Sequence, residues 1–338
     1  MPRTDRESPY PMTRRKLIAA GAAGALGIAG AGLAIWTKRK GLWLGRLQEN
    51  GAAAASPRVF DFRVAAANGS APIAIVTGAS AAGLAKEALK SLGGMELFVK
   101  RGDRVLIKPN AGWDRRAELA ANTNPDVIRT LCEMCFTAGA SKVIVSDFSC
   151  NETHRCFDSS GIGAAARSAG AEVVFPREAY LKEIDFNGEA IRSWPVYSHF
   201  LEVDKFINVP IAKQHGLARV TLGMKNWFGV IGGLRNRLHQ NINTSIADLA
   251  TSIRPTLTVI DAYRILISNG PQGGRLADVK DARTLIASAD PVAADSLATA
   301  LFGLKPEELP YLLLAHSRGL GQIDRSAMSV RQITAAGA

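Results

Sequence analysis

Short apolar runs that alternate with helix-forming segments constrain the fold of this chain more than any other feature. Apolar runs at 71–76, 105–107, 142–147, 172–175, 206–209, 257–260 and 285–287 predict buried strands. The segments 81–92, 124–137, 161–168, 240–253, 291–302 and 306–317 predict helices. This alternation predicts an α/β fold with a mostly parallel sheet flanked by helices on both faces. In such folds, ligands bind at the carboxyl ends of the strands.

The length and composition indicate one large folded region. With 338 residues and 47% hydrophobic composition, the chain can bury a large core. We assign residues 57–330 to the α/β domain, with a sub-domain boundary near residue 190. Residues 1–56 are excluded from the fold because their composition is that of a targeting segment and linker.

The N-terminal segment is typical of twin-arginine export. Arg14 and Arg15 precede an uncharged run at 17–36 that is mostly Ala and Gly. This run predicts an apolar signal or anchor helix that is long enough to cross a bilayer, either cleaved after Ala55 or retained as a membrane anchor. The start codon is Met1 or Met12. We therefore expect the domain on the periplasmic or extracytoplasmic side of the inner membrane. Because this route carries folded proteins, it also points to a cofactor inserted beforehand.

The net charge of +11 does not predict nucleic-acid binding. Residues 1–50 hold nine Lys and Arg against three Asp and Glu, a net +6, so residues 51–338 carry only +5. That remainder has no long basic run, and we expect no nucleic acid among the partners.

A glycine-containing turn at 77–83 suggests a dinucleotide site, but its spacing is wrong. A strand that leads through glycine into a helix can bind a pyrophosphate. The dehydrogenase pattern requires glycine where this chain has Ala82 and Leu84. An ordinary strand-to-helix turn is the favoured interpretation.

The four cysteines suggest two different roles. Cys132 and Cys135 fall within a predicted helix, where core packing is favoured. Cys150 and Cys156 flank a polar loop and either form a disulfide or bind a metal ion or iron–sulfur cluster together with His154.

The densest group of polar residues lies between 208 and 269. Lys213, His215, Lys225, Asn226 and His239 stand among apolar neighbours there. Polar groups in a core need partners or a ligand. Two lysines and two histidines suit a carboxylate, a phosphate or an enolate, with Lys binding the charge and His acting as acid or base. Solvated surface or helix capping is the alternative for each residue taken singly.

These residues belong to a series of motifs that resembles the family catalogued as domain of unknown function 362 (DUF362), particularly its members with a twin-arginine signal. The resemblance covers residues 100–325 and rests on Ile107-Lys108-Pro109-Asn110, Asn124-Pro125, Asp147 with Cys150, Asn208-Val209-Pro210, Lys213 with His215, Met224-Lys225-Asn226, Leu238-His239-Gln240, Val259-Ile260-Asp261 and Asn269-Gly270-Pro271 with Gly273. It implies no assigned reaction. The family is loosely similar to nickel-pincer lactate racemases in its layout. Where family members have a second Lys or His, this chain has Gln214.

The leading hypothesis is an exported protein that binds a small anionic metabolite. Its proposed catalytic residues are His215, His239, Lys213, Lys225 and Asp261, and its proposed ligand-binding residues are Lys108, Asn110, Asp147, Asn226, Asn269, Gly270 and Gly273. One alternative is a non-catalytic metal, iron–sulfur or redox carrier that uses Cys150, His154 and Cys156. Another is an accessory subunit of a membrane complex, held at the membrane by a retained N-terminal segment.

Overall fold

The computed structural model describes residues 58–64 and 72–335, which fall within one compact unit, Ser56–Ala338. The predictions about residues 1–56, including the signal, the anchor helix, the cleavage site and the start codon, lie outside the described residues. In the part of the chain that is described, no helix combines the length and hydrophobicity needed to cross a membrane.

The regular elements alternate along the chain. The strands are β1 (Phe60–Asp61), β2 (Ile73–Thr77), β3 (Arg104–Pro109), β4 (Lys142–Val145), β5 (Glu172–Val173), β6 (Leu181–Asp185), β7 (Ser193–Tyr197), β8 (Lys205–Val209), β9 (Ile211–His215), β10 (Arg219–Thr221), β11 (Ile253–Arg254), β12 (Leu257–Leu266), β13 (Val279–Ser288) and β14 (Val330–Thr334). The α-helices are α1 (Ala81–Ser91), α2 (Pro125–Thr137), α3 (Thr153–Ser159), α4 (Ile162–Ser168), α5 (Ile242–Ser252), α6 (Pro291–Ala298) and α7 (Pro310–Ser317).

A ten-stranded mixed sheet forms the centre of the molecule. Its order is β14-β2-β13-β12-β8-β3-β4-β5, and β9 extends it by pairing with β12 and β10. Strands β12, β8, β3, β4 and β5 are mutually parallel, whereas β13 is antiparallel to both β12 and β2. The prediction of an α/β fold flanked by helices is confirmed. The mostly parallel sheet is corrected to a mixed one, because the chain returns directly from β12 to β13 instead of crossing over through a helix.

Both faces of the sheet are buried, which explains why its strands have apolar residues at consecutive positions. On β3, Val105 and Ile107 pack on one face with helices α1, α2 and α4, and Leu106 packs on the other. Helices α5, α6 and α7 cover that second face. Because both layers are dry, any charged side chain at the end of a central strand must find a partner within the protein or bind a ligand.

Local sequence signals located several element ends correctly. Asn124 is the N-cap of α2, with its side chain accepting a hydrogen bond from the Asp126 backbone N–H at 2.9 Å, and Pro125 is the first helical residue. In contrast, Pro109 was expected to interrupt β3, yet it pairs with Val209 at the end of that strand. Strand β12 also continues past Asp261, where an end was expected.

The hairpin of β6 and β7 was not predicted, and it surrounds the sub-domain boundary expected near residue 190. Strands from both sides of that position share the ten-stranded sheet, since β2 to β5 precede it and β8, β9, β10, β12, β13 and β14 follow it. The turn at 77–83 is the strand-to-helix turn that was favoured: Ser80 caps α1 by accepting a hydrogen bond from Gly83 N–H.

Candidate functional site

A buried ion pair lies under the carboxyl ends of β3 and β4. Lys108 Nζ lies 2.6 Å from Asp147 Oδ1, and both side chains are almost completely buried. Lys108 also donates to the Pro109 carbonyl, and Asp147 Oδ2 accepts from the Ala111 backbone N–H at 2.7 Å. Burial lowers the pKa of Lys108, and the Asp147 carboxylate opposes that shift. The pair is neutral as a unit and braces the site.

A second lysine, Lys213, begins a chain of hydrogen-bonded asparagine side chains. Lys213 Nζ donates to Asn110 Oδ1 at 2.9 Å and to the Ala121 carbonyl at 2.6 Å. Asn110 donates to Asn226 at 3.0 Å, and Asn226 donates to Asn208 at 2.8 Å. Lys213 therefore has hydrogen-bond partners but no carboxylate partner, and burial lowers its pKa to about 7.

The third lysine has no hydrogen-bond acceptor among the residues that the structure describes. Lys225 is 7% exposed, and its Nζ lies 3.4 Å from the centre of the Phe228 ring. The face of an aromatic ring attracts a cation but offers no lone pair. The pKa of Lys225 is lowered to about 7, mainly by burial; a negative charge on Cys150 opposes this shift, and the neighbouring cations Arg235, Lys213 and Lys108 add to it.

Two histidines stand next to Lys225. The rings of His215 and His239 are stacked, with centres 6.0 Å apart and an interplanar angle of 12°, and Phe228 contacts His239 edge to face. His215 Nδ1 accepts from the backbone N–H groups of Leu217 and Ala218, both at 3.2 Å. In the neutral ring the proton therefore resides on Nε2, which is left as a donor.

Burial and the charge of Lys225 keep both rings neutral. Burial and, after it, the charge of Lys225 lower the pKa of His215 to about 3. The same two causes lower the pKa of His239. At neutral pH the pair thus provides polar N–H groups without adding two more positive charges.

Cys150 joins the same group through Arg235. Its thiol is exposed, and Sγ accepts a hydrogen bond from Arg235 Nη2 at 3.4 Å. Arg235 also donates to the carbonyls of Phe148, Phe228 and Ser149, which fixes its position. We call Lys108, Lys213, Lys225, Arg235, His215 and His239 the cationic cluster.

Asp261, which was predicted to be catalytic, is not part of the cationic cluster. Its carboxylate accepts from the backbone N–H groups of Asn124 at 2.7 Å and Tyr263 at 3.0 Å. Burial nevertheless raises its pKa to about 6. In this position Asp261 connects the start of α2 to β12, and the expectation that it orients the histidines is not supported by its contacts.

The glycine-rich loop at 269–274 lies against β9, the strand that carries Lys213. Gly270 N–H donates to Gln214 Oε1 at 2.7 Å, and a side chain at Gly270 would overlap the Gln214 backbone. Asn269 donates to Asp278 at 2.8 Å. Gly273 packs with a positive φ of 58° near Leu266. Gln214 thus anchors this loop beside the cluster, and ligand binding by Asn269, Gly270 and Gly273 stays a prediction.

The predicted metal ligands are not gathered into one site. All four cysteines are free thiols, and no group of three or more His, Cys, Asp or Glu in residues 58–64 and 72–335 is arranged to bind a metal ion. His154 stacks on Phe175 with ring centres 3.9 Å apart, Cys156 is buried, and Cys150 faces Arg235. The disulfide between Cys150 and Cys156 that was left open is not formed.

Three contributors to the site were missed by sequence reasoning. Arg235 begins a short 3-10 helix, Arg235–Asn241, and Phe228 lies in another, Lys225–Gly229; neither helix was predicted. Gly229 was not singled out, although a side chain there would overlap Asp147 and would approach Lys108 Nζ within 2.7 Å. Arg235 and Gly229 have no local signal, because they act through residues distant in sequence.

Buried Asp295 positions the segment that carries Lys225. Its two carboxylate oxygens accept from the backbone N–H groups of Gly223 at 2.6 Å and Met224 at 2.9 Å. Burial raises its pKa to about 7. Two surface cavities of about 390 and 550 Å³ are lined by other parts of the chain and include no residue of the cationic cluster. The unpaired charges mark the candidate site.

The family is identified by comparison with known proteins. Residues 105–300 match the family described as Domain of unknown function (DUF362), and this is more than half of the chain. The protein therefore belongs to the DUF362 family. It is similar to the thylakoid-associated protein sll1697 of Synechocystis sp., with 26% identity over 241 residues, which cover 69% of this chain and 73% of that protein.

A solved structure shows a more distant similarity. The lactate racemase apoprotein from Thermoanaerobacterium thermosaccharolyticum is 11% identical, with a TM-score of 0.40, and the matched part covers 71% of this chain and 58% of that chain. A similarity of this size carries no argument about function.

Proposed function

We propose that the DUF362 domain of this protein binds a small anionic metabolite, a carboxylate or phosphate, at the cationic cluster. The observation that carries the proposal is Lys225. The residue as a whole is 93% buried, its Nζ has no hydrogen-bond acceptor in the described part of the chain, and this atom lies 3.4 Å from the centre of the Phe228 ring. A buried charge without a partner is costly, and a bound anion would supply the missing acceptor.

The balance of charges supports the same proposal. Asp147 neutralises Lys108, while no carboxylate of the described residues lies within salt-bridge distance of Lys213, Lys225 or Arg235. Three neighbouring cations without a counter-ion create a positive potential that attracts anions. The backbone and amide contacts of Lys213 and Arg235 hold these two side chains in place before any ligand binds. Such preorganisation lowers the cost of binding.

The histidines would set the chemistry of the site. His215 offers its Nε2–H as a hydrogen-bond donor, and its neighbour His239 stacks against it. Near neutral pH, Lys225 exists in both protonation states, because its pKa is lowered to about 7. A group of this kind can give or take a proton during a reaction. We propose Lys225 and His215 as the acid–base candidates, and the reaction itself stays unassigned.

We propose that the protein is exported by the twin-arginine route and works at or near a membrane. The paired arginines at 14 and 15 and the uncharged run that follows support this location. A relative that is named thylakoid-associated agrees with association with a membrane. Replacing both arginines with lysine should retain the protein in the cytoplasmic fraction, and unchanged fractionation would contradict twin-arginine export.

The binding proposal is tested by thermal shift with phosphate, sulfate, acetate and lactate, each at constant ionic strength. An anion present at 100 times its Kd stabilises the folded state by about 2.7 kcal/mol. We expect at least one of these anions to raise the Tm of the wild type, and we expect Lys225→Gln to lose most of that increase. Lys142→Gln is the matched control, because Lys142 is 44% exposed and pairs with Glu172 at the start of β4.

The pH dependence adds a second criterion. Binding of an anion favours protonated Lys225, so the increase in Tm should be larger at pH 6 than at pH 8, on either side of its pKa of about 7. An equal response in Lys225→Gln and Lys142→Gln would refute the assignment of this site.

A further inference from the structure

Cys150 is placed differently from the other cysteines. Cys132, Cys135 and Cys156 are buried, and burial raises the pKa of Cys132 to about 12 and of Cys156 to about 11. These three thiols are protected and protonated. Cys150 is exposed, and its sulfur faces the guanidinium group of Arg235 at 3.4 Å.

The sulfur of Cys150 also interacts electrostatically with lysines of the cationic cluster. A negative charge on this thiol raises the pKa of Lys213 and of Lys225, and after burial it is the largest influence on each of them. A negative charge on Cys150 would therefore partly compensate two lysines that have no carboxylate partner among the described residues. Nucleophilic cysteines occur in electropositive and partly exposed surroundings of this kind.

A methyl-sized group fits next to the sulfur. A Cβ atom built on Gly112 would be 3.9 Å from Cys150 Sγ and 3.6 Å from Asn110 Oδ1, which are ordinary van der Waals contacts. Cys150 is also near enough to Lys225 for a negative charge on the sulfur to raise the pKa of the lysine, and Lys225 Nζ has no hydrogen-bond acceptor among the described residues.

We infer that Cys150 is the nucleophile of this site and that its substrate class is a small carboxylate with an electrophilic carbonyl carbon. The inference rests on the anion site proposed above and adds a covalent step to it. The cations would hold the carboxylate, and the exposed thiol would attack the carbonyl carbon.

The step is an addition without net oxidation or reduction. The sulfur forms a bond to the carbonyl carbon, and the π electron pair of the C=O bond moves to the oxygen. The thiol proton ends on that oxygen, and Lys225, which is present in both protonation states near neutral pH, can carry it. The product is a hemithioacetal, and the reverse step restores the thiol and the carbonyl compound.

The first test compares alkylation of the native full-length protein by iodoacetate, which is anionic, and by iodoacetamide, which is neutral. Peptide mapping should locate the label at Cys150 and leave the three buried cysteines unmodified. The ratio of the iodoacetate rate to the iodoacetamide rate should exceed that of N-acetylcysteine by at least about tenfold, the lower end of the effect of a charged cleft. Lys225→Gln should reduce this ratio, and Lys142→Gln should leave it unchanged.

The second test uses glyoxylate, a carboxylate with an aldehyde carbon, and acetate, which has the same charge and no aldehyde. We expect glyoxylate to raise the Tm of the wild type more than acetate does. In Cys150→Ser the two anions should act equally, because only charge recognition remains.

The outcomes separate the two proposals. If Cys150→Ser keeps the larger response to glyoxylate, another group captures the carbonyl, and the assignment of Cys150 as nucleophile is overturned. If acetate and phosphate stabilise the protein but Cys150 resists both alkylating reagents, the anion site stands and the nucleophile is refuted. If no anion stabilises any variant and iodoacetate has no advantage, the anion site itself fails.

Discussion

Substitution of Asp147 by Asn should leave Lys108 as an unpaired charge in the core. Lys108 is completely buried, and Asp147 Oδ1, 2.6 Å away, is its only carboxylate contact within salt-bridge distance in the described part of the chain. Asn has nearly the same shape, and its side-chain oxygen can still accept from the Ala111 N–H group. The substitution therefore removes charge and preserves packing.

The expected loss in the free energy of unfolding is about 3–5 kcal/mol at pH 7, the cost of removing one partner of a buried ion pair. Urea denaturation of the full-length chain measures it. With a slope of ~3 kcal/mol per molar urea, the midpoint should fall by roughly 1 to 1.7 M. Glu172→Gln is the matched control, because the Lys142–Glu172 pair is about half exposed and should contribute less than about 1 kcal/mol.

The loss should depend on pH in one direction. Burial lowers the pKa of Lys108 in the folded state, and the Asp147 carboxylate raises it again, so the pKa falls further in the variant. The unfolded lysine then binds more protons than the folded one, and the stability of the variant rises with pH relative to the wild type. The deficit should be smaller at pH 9 than at pH 6.

A second variant checks the cause. Lys108→Met combined with Asp147→Asn contains no buried charge and should recover most of the lost stability. The reasoning is refuted if Asp147→Asn costs no more than Glu172→Gln, or if the double variant is as unstable as Asp147→Asn.

Two further predictions concern neighbouring parts of the same site. Gly229→Ala should prevent folding or cost several kcal/mol, because its methyl group would overlap Asp147 and approach Lys108 Nζ within 2.7 Å. Thermal unfolding measures this loss, and Gly112→Ala is the control. Gly112→Ala should be tolerated, since its added methyl group would lie 3.6 Å from its nearest contact. Equal destabilisation by the two substitutions would contradict the close approach at Gly229. Asp295→Asn should lower stability more at pH 5 than at pH 8. The folded-state pKa of Asp295 is raised to about 7, so the protonated form adds stability that the wild type loses as pH rises through that value. Denaturant unfolding at both pH values measures the stability difference between the wild type and Asp295→Asn. A stability difference that does not change with pH would argue against the raised pKa.

Local chemistry made the helix starts and the central strands predictable. Asn124 followed by Pro125 defines the first turn of α2 through contacts within three residues, and runs such as 105–107 have no stable place except the core. The carboxyl-end position of Lys108 could be predicted for the same reason. The antiparallel hairpin of β12 and β13 could not, because its register depends on cross-strand contacts and on the anchored loop at 269–274.

The types of residue in the candidate site could be predicted from the sequence, but the partner of each residue could not. The sequence by itself determined a group of lysines, histidines and amides among apolar neighbours, and the motif order that belongs to the DUF362 family. Only the tertiary structure decided that Asp147 neutralises Lys108, that Lys225 is left without an acceptor, and that Cys150 belongs to the cluster through Arg235. It also placed Asp261 in contact with the start of α2. The physical reason is range: caps and strand propensities act over a few neighbouring residues, whereas pairing and desolvation of charges depend on which distant side chains the fold brings within a few ångströms.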